Sequence, residues 1–429
     1  MHLPQLIRDL AVILAVAGVV TLIFQRIRQP VVLGYLIAGL IVGPYVLPHP
    51  LVTDLPNIKV WGDLGVIFLM FSLGLEFSFR KLSKVGVSSL VTALFEVGMM
   101  FGVGTLLGRL LGWGALNSAF LGATLSISST TIILKALDEL KLKSRRFAEM
   151  IFGVLIVEDL IAVLLIVGLS AASSSASFSG VDLAIAAGKL ILVIGSWFVC
   201  GYFLLPRLVR FVGKLGNDEV LTILSLALCL SLVVVSAYFH YSTALGAFIM
   251  GSILAETTES QRIEELIRPL RDLFVAVFFV SVGMLIDPRI LVGNWSLVLL
   301  MSLVLVIGKI FNITFGALVT GQTLRTSVQV GFGMAQIGEF SFIIAALGRS
   351  LGVTTESQYP IVVAVSVLTT FTTPYLIRVS HKFAVKFESL LPIRIKNILS
   401  QYAAWSAERR ADSASQSRFY QAGTRWLIS

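Results

Sequence analysis

The run MIFGVLIVEDLIAVLLIVGLS, Met150–Ser170, is apolar or small throughout except for one adjacent acidic pair, Glu158 and Asp159. A helix needs about 20 predominantly apolar residues to cross the hydrocarbon core of a bilayer, and this stretch supplies them. A carboxylate at that depth costs about 2.5–3.5 kcal/mol on insertion scales, so it persists mainly where it faces a polar cavity and has a task there. A second run, Ser296–Thr320, carries a lone lysine, Lys309, at its middle. Similar apolar runs follow one another along the 429 residues, of which 56% are hydrophobic, and the mean hydropathy is +0.92. No single soluble core requires that much apolar sequence. The chain therefore reads as an all-α polytopic membrane protein.

Cutting at the polar breaks gives about thirteen spans: Leu3–Phe24, Pro30–Leu47, Trp61–Phe79, Val87–Leu107, Leu116–Leu134, Met150–Ser170, Leu183–Val209, Val220–Phe239, Tyr241–Ala255, Leu270–Ile286, Ser296–Thr320, Thr326–Leu347 and Pro360–Val379. The expected organisation is a transmembrane domain over 1–381 and a cytoplasmic tail over 382–429. Arg26 and Arg28, then Arg80, Lys81 and Lys84, then Lys141, Lys143, Arg145 and Arg146 fall in alternate connections. Short basic loops stay inside, so the N-terminus is expected outside and the C-terminus in the cytoplasm. The same loops account for the net charge of +9, which leaves no reason to expect a nucleic-acid partner. Cys200 and Cys229 lie inside spans and read as small buried hydrophobes. Gly331, Gly333 and Gly338 lack the spacing of a dinucleotide-binding turn, and no cofactor is expected. In the tail, Lys386, Arg394 and Lys396 either sit on one amphipathic helix against anionic membrane lipid or belong to a disordered segment.

Depth ties the polar positions together. At about 1.5 Å per residue, Glu158, Asp159 and Lys309 all come near the bilayer midplane. Neighbours on a helix point about 100° apart, so one acid can pair with Lys309 while the other faces a water-filled pocket. A carboxylate that holds a small cation when ionised and loses it when protonated couples the two ions without a covalent step. Two spans read as interrupted helices. GATLSISSTTIIL places Ser126, Ser128, Ser129, Thr130 and Thr131 at mid-depth, and GFGMAQIGEFSF places Gln336 and Glu339 among glycines. Hydroxyls and amides there can satisfy freed backbone groups and line a cavity. The two interruptions occupy corresponding places in the two halves, which suggests an inverted repeat with its site at the repeat interface.

Structural readings compete at each position. The acids and Lys309 could form a buried ion pair that only holds the bundle together, the hydroxyls could be ordinary small-residue packing, and Glu339 could serve the helix break alone. Glu76 and Glu96 weigh less as site residues, and His240 near the outer surface reads as a solvated loop residue. A passive cation channel and an ion-coupled organic-solute symporter remain alternatives. An intramembrane aspartyl protease fits poorly, since its acids approach from separate helices.

Six stretches carry a resemblance: QPVVLGYLIAGLIVGP at Gln29–Pro44, LGVIFLMFSLGLEFSFRKL at Leu64–Leu82, SSTTIILKAL at Ser128–Leu137, IVEDLIAVLL around the acidic pair, FFVSVGMLID at Phe278–Asp287 and AQIGEFSF at Ala335–Phe342. In this order they make the chain similar, from about Gln29 to Val379, to the second family of monovalent cation:proton antiporters, the Kef-type and sodium/proton exchanger group. The resemblance implies a thirteen-helix inverted-repeat fold with two discontinuous crossing helices, a homodimer, and elevator-like exchange of Na⁺ or K⁺ for H⁺ at a bacterial plasma membrane. It also implies that Asp159 is the ion-binding and proton-accepting aspartate; Glu158 beside it is expected to bind the ion with it or to balance its charge. By the same likeness Lys309 is the core lysine, Ser128, Ser129, Thr130 and Thr131 form the first crossing region, and Gln336 and Glu339 the second. Glu158 departs from the family pattern, in which potassium-efflux members carry Gln and electrogenic sodium exchangers Asp.

Overall fold

The computed structural model describes residues 5–27, 29, 31–48, 50–52, 54–76, 86–173, 196–197, 205–214, 216–239, 243–355 and 357–406, and every regular element among them is a helix. In the first half these are α1 (Gln5–Arg26), α2 (Val31–Val42), α3 (Leu55–Glu76), α4 (Val87–Leu110), α5 (Ala115–Ser126), α6 (Thr130–Glu139) and α7 (Arg146–Ser173). A short helix α8 over 205–214 follows. The second half comprises α9 (Asp218–Tyr238), α10 (Thr243–Ala255), α11 (Ser260–Met284), the short α12 (Pro288–Gly293), α13 (Trp295–Val319), α14 (Leu324–Gly333), α15 (Glu339–Ser350) and α16 (Gln358–Leu390). A last helix, α17, covers 393–406. Seven of the described helices are long and apolar enough to cross a membrane: α1, α3, α4, α7, α9, α13 and α16.

The helices sort into two bodies. In the first, a panel, α3 packs against α10 and α11, α2 against α11, α1 against α2 and α9 against α10. In the second, a core, α4 packs on α5 and on α13, α13 on α14, α14 on α16 and α5 on α15. Each body takes matching helices from both halves of the chain. Lipid tails are as apolar as leucine, so helices in a bilayer gain chiefly by close approach, and small residues permit it. The panel uses glycine for this purpose. A Cβ on Gly39 of α2 would lie 2.1 Å from the Val280 carbonyl of α11, and one on Gly251 of α10 would lie 2.2 Å from the Phe71 carbonyl of α3. Large apolar side chains such as Leu164, Val234, Ile307 and Phe311 point outward, as a surface solvated by lipid requires.

The predicted spans mostly coincide with these helices, with three differences. The tenth was expected over Leu270–Ile286, but α11 begins at Ser260, so Arg262, Arg268 and Arg271 lie on a helix and not in a loop. The helix α16 runs without interruption through the expected boundary at 381/382 to Leu390, and the tail continues as α17. The seventh span, Leu183–Val209, falls outside the described residues apart from 196–197 and 205–209, as do Cys200, His240, the Arg80–Lys84 cluster and residues 407–429.

Candidate ion-binding site

Both interrupted spans are broken, and the local reasons differ. The helix α5 ends at Ser126 because Ile127 turns to extended backbone, φ −101° and ψ 129°. The serines that follow compete for backbone groups with their own hydroxyls, which disfavours helix continuation. Ser129 then restarts the chain as α6: its Oγ accepts from the Ile132 N–H at 3.3 Å. In the second span, α14 starts at Thr323, whose hydroxyl accepts from Thr326 N–H at 3.3 Å, and it ends at the glycine-rich Gly331–Gly333. The helix α15 resumes after extended Gly338 with Glu339 in its first turn, where the helix dipole favours a carboxylate.

The two breaks cross in contact. The Gly338 N–H donates to the Ile127 carbonyl at 2.9 Å, and a Cβ on Gly338 would lie 2.2 Å from the Ser128 carbonyl. Only glycine allows the two backbones this close. Side chains complete the joint. The Ser128 hydroxyl donates to the Met334 carbonyl at 3.2 Å, Ser341 to the Thr124 carbonyl at 2.6 Å, and Ser129 to Glu339 Oε2 at 2.6 Å. Four half-helices thus meet, and some of their orphaned terminal groups are satisfied across the joint.

The helix α7 carries the acidic pair past this crossing, and the turn between neighbours gives the two acids different surroundings. Glu158 is fully buried, and its Oε2 accepts from the Ser128 N–H at 2.8 Å, an amide freed by the first break. Asp159 stays partly exposed, and its Oδ2 accepts from Thr130 Oγ1 at 3.1 Å. Lys309 on α13 is fully buried as well. Its ammonium donates to the Ser126 carbonyl, the Ser128 hydroxyl and Glu96 Oε1, each at 2.8 Å. The Ser126 carbonyl is the negative end of α5, a position that attracts a cation.

The partner of Lys309 is therefore Glu96 on α4, which corrects the expectation that one of the adjacent acids pairs with it. Packing explains the correction: α4 and α13, the helices that precede the two breaks, lie side by side, and Glu96 meets Lys309 across that contact. The signal was available in the sequence, because Glu96 is a lone carboxylate inside an apolar run and falls under the same cost rule as Glu158. Gln336 lies fully buried at the second break, and among the described residues neither polar atom of its side-chain amide has a hydrogen-bond partner. The side chain of Thr131 is outside the described residues. The structure thus brings Ser128, Ser129, Thr130, Glu158, Asp159, Lys309 and Glu339 to one joint.

The family model described as "Sodium/hydrogen exchanger, transmembrane" matches residues 11–378. The chain belongs to that family. Among curated relatives, the putative cation/proton antiporter YbaL of Escherichia coli (strain K12) is 33% identical over 397 residues, covering 91% of this chain and 71% of that protein. The Na(+)/H(+)-K(+) antiporter GerN of Bacillus cereus is 31% identical over 371 residues, 85% of this chain and 93% of that protein. K(+) efflux antiporter 5 of Arabidopsis thaliana is 32% identical, and this chain spans 66% of its length. The sodium proton antiporter MjNhaP1 of Methanocaldococcus jannaschii superposes with a TM-score of 0.67 over 89% of this exchanger-family chain and 99% of its own, at 17% identity, which shows a shared fold.

Proposed function

We propose that the chain exchanges a monovalent cation, Na⁺ or K⁺, for protons across a membrane, with Asp159 as the carboxylate that the two ions share in turn. One observation carries this reading: of the two adjacent acids on α7, Glu158 is fully buried and bonded to backbone, whereas Asp159 keeps exposed surface. An ionised Asp159 offers oxygen to a hard cation, and the Thr130 hydroxyl is beside it. Protonation removes the charge and with it the cation. The relatives named as cation/proton and K⁺ efflux antiporters support this substrate class. Their names span sodium and potassium, so the cation is left at that class.

Alternating access is proposed as movement of the core against the panel. The core is interlocked through the crossing and the panel through backbone contacts at glycine, so each would move as a unit. Between them, a cleft of about 410 Å³ is lined by Lys59, Asp63 and Ser281 of the panel and by Arg349 and Tyr359 of the core. A polar-lined gap at such a seam suits an elevator motion, with two copies held together through their panels while the cores travel. The basic connections support an orientation with the C-terminal end in the cytoplasm.

The test is ion flux in proteoliposomes under an imposed pH gradient, with Na⁺, K⁺ and Li⁺ run separately. Cation-dependent proton movement that disappears in Asp159→Asn supports the proposal. Cation flux without counter-movement of protons would indicate a channel, and antiport undiminished in Asp159→Asn would remove Asp159 from its role.

A further inference from the structure

The helix α17 has two apolar faces, and the core covers one of them. Leu399 packs, with Leu391, against the cluster of Leu324, Val328, Phe332 and Ala384, and Ala403 one turn on is buried. The Tyr402 hydroxyl donates to the Val319 carbonyl at 2.6 Å and the Ser406 hydroxyl to the Thr320 carbonyl at 3.4 Å, which fastens the helix to the end of α13. The second face holds Ile395, Ile398, Tyr402 and Trp405, between 39% and 64% exposed. At about 100° per residue these four fall within about 80° of arc, a stripe along one side of the helix. Arg394 borders the stripe on the side away from the core, and exposed Gln401 and Asn397 come next round the helix.

The neighbourhood indicates what covers the stripe. On α13 every fourth residue from Leu299 through Leu303, Ile307, Phe311 and Phe315 to Val319 is large, apolar and exposed, the row that faces lipid. It ends at the residue whose carbonyl holds Tyr402, so the stripe of α17 continues the lipid-facing surface at its edge. The charge there is one-sided: from Arg378 to Ser406 the chain carries Arg378, Lys382, Lys386, Arg394 and Lys396 against the single acid Glu388, which is paired with Arg325. The helix covers 393–406, too short for the roughly 20 residues that cross a bilayer. An amphipathic helix of that kind lies in the plane of the interface, where tyrosine and tryptophan settle at headgroup level. A protein partner would account for the apolar stripe alone, whereas a charged bilayer surface accounts for the stripe, its continuity with α13 and the basic surround together.

We infer that the face of α17 formed by Ile395, Ile398, Tyr402 and Trp405 docks on the membrane surface and selects anionic phospholipid. The contact fastens the core, through the ends of α13 and α14, to one leaflet. It goes beyond the antiport reading and does not depend on it.

The experiment is amide hydrogen exchange on the full chain in nanodiscs of phosphatidylcholine alone and of phosphatidylcholine mixed with phosphatidylglycerol. Residues 393–406 should exchange at least about fivefold more slowly in the anionic discs, the factor that one basic side chain near a charged surface contributes. Equal exchange in the two discs, which a protein cover from this chain or a second copy would give, overturns the inference and needs no variant to fold. Ile398→Glu, within the stripe, and Arg394→Glu, at its border, should abolish the difference. Asn397→Glu adds the same charge away from the stripe and should preserve it. Thermal melting checks that each variant folds. A difference that survives the first two variants, or falls as far in Asn397→Glu as in Ile398→Glu, also counts against docking by this face. Trp405 gives an independent readout, as the fluorescence lost in Trp405→Phe. Phospholipid brominated near the headgroup end of its chains should quench that signal, and quenching by aqueous acrylamide but not by the brominated lipid would overturn the inference.

Discussion

The panel and the crossing both depend on backbones packed closer than any side chain would allow, yet they are held by different forces. In the panel, Gly39 meets α11 and Gly251 meets α3, and the contact is backbone against backbone between intact helices. At the crossing, Gly338 meets Ser128 where both helices have been broken, and the freed amides and carbonyls need partners. A bilayer offers no water to supply them, so the side chains of Ser128, Ser129, Glu158, Lys309 and Ser341 do. Packing alone makes a rigid wall. Breaking a helix at membrane depth concentrates polar groups that hold the break together and can also receive an ion.

Five substitutions test the two kinds of seam. The largest effect is expected for Lys309→Met, which leaves Glu96 buried and unpaired. Thermal or denaturant unfolding in detergent should register a loss of about 3–5 kcal/mol, and a loss below about 1 kcal/mol would mean that the pair is not held as described. Next come Gly338→Ala and Gly251→Ala, whose added methyls collide with the Ser128 and Phe71 carbonyls. Each should cost about 1–3 kcal/mol or more by overpacking. The protein that still folds should differ in flux assays: Gly251→Ala retains cation-dependent proton movement, and Gly338→Ala loses it because the crossing is spread. Equal activity in the two would erase the distinction drawn here.

Thr130→Val removes a single hydroxyl from Asp159. A hydrogen bond of this kind contributes about 0.5–1.5 kcal/mol, so the apparent cation affinity should fall about 2–10-fold, with maximal rate retained and stability near wild type. The smallest effect is expected for Arg325→Ala. Arg325 is 54% exposed and pairs with Glu388 at the surface, where such bridges contribute about 0–1 kcal/mol. A stability change comparable to that of Lys309→Met would show that the end bearing α17 matters more than the exposure of its ion pair suggests.

Much of this was legible in advance because the bilayer constrains residues one at a time. Spans follow from length and hydropathy, and the runs around Ser126–Thr131 and Gly331–Glu339 announced the breaks through residues that cannot stay comfortably in a lipid-exposed helix. Glu158, Asp159 and Lys309 stood out by cost alone. Glu96 obeyed the same rule but was discounted, because its partner sits 213 positions away and no local pattern connects them. The extension of α11 back to Ser260 was also hidden, since its first turns are polar and lie beyond the apolar run by which a span is recognised.

By itself the sequence determined the membrane class, the places where helices break and the charges that needed a reason to be buried, since each of these follows from transferring individual groups out of water. Only the tertiary structure decided how those charges are divided. Three carboxyls from α4 and α7 and one ammonium from α13 compete at a single crossing, and the winner is set by distance. Glu96 is at 2.8 Å from Lys309, Glu158 is turned to the amide of Ser128, and Asp159 is left toward the open side. Coulomb attraction and hydrogen bonding both fall away within a few ångströms in this setting, so the pairing depends on which helices touch.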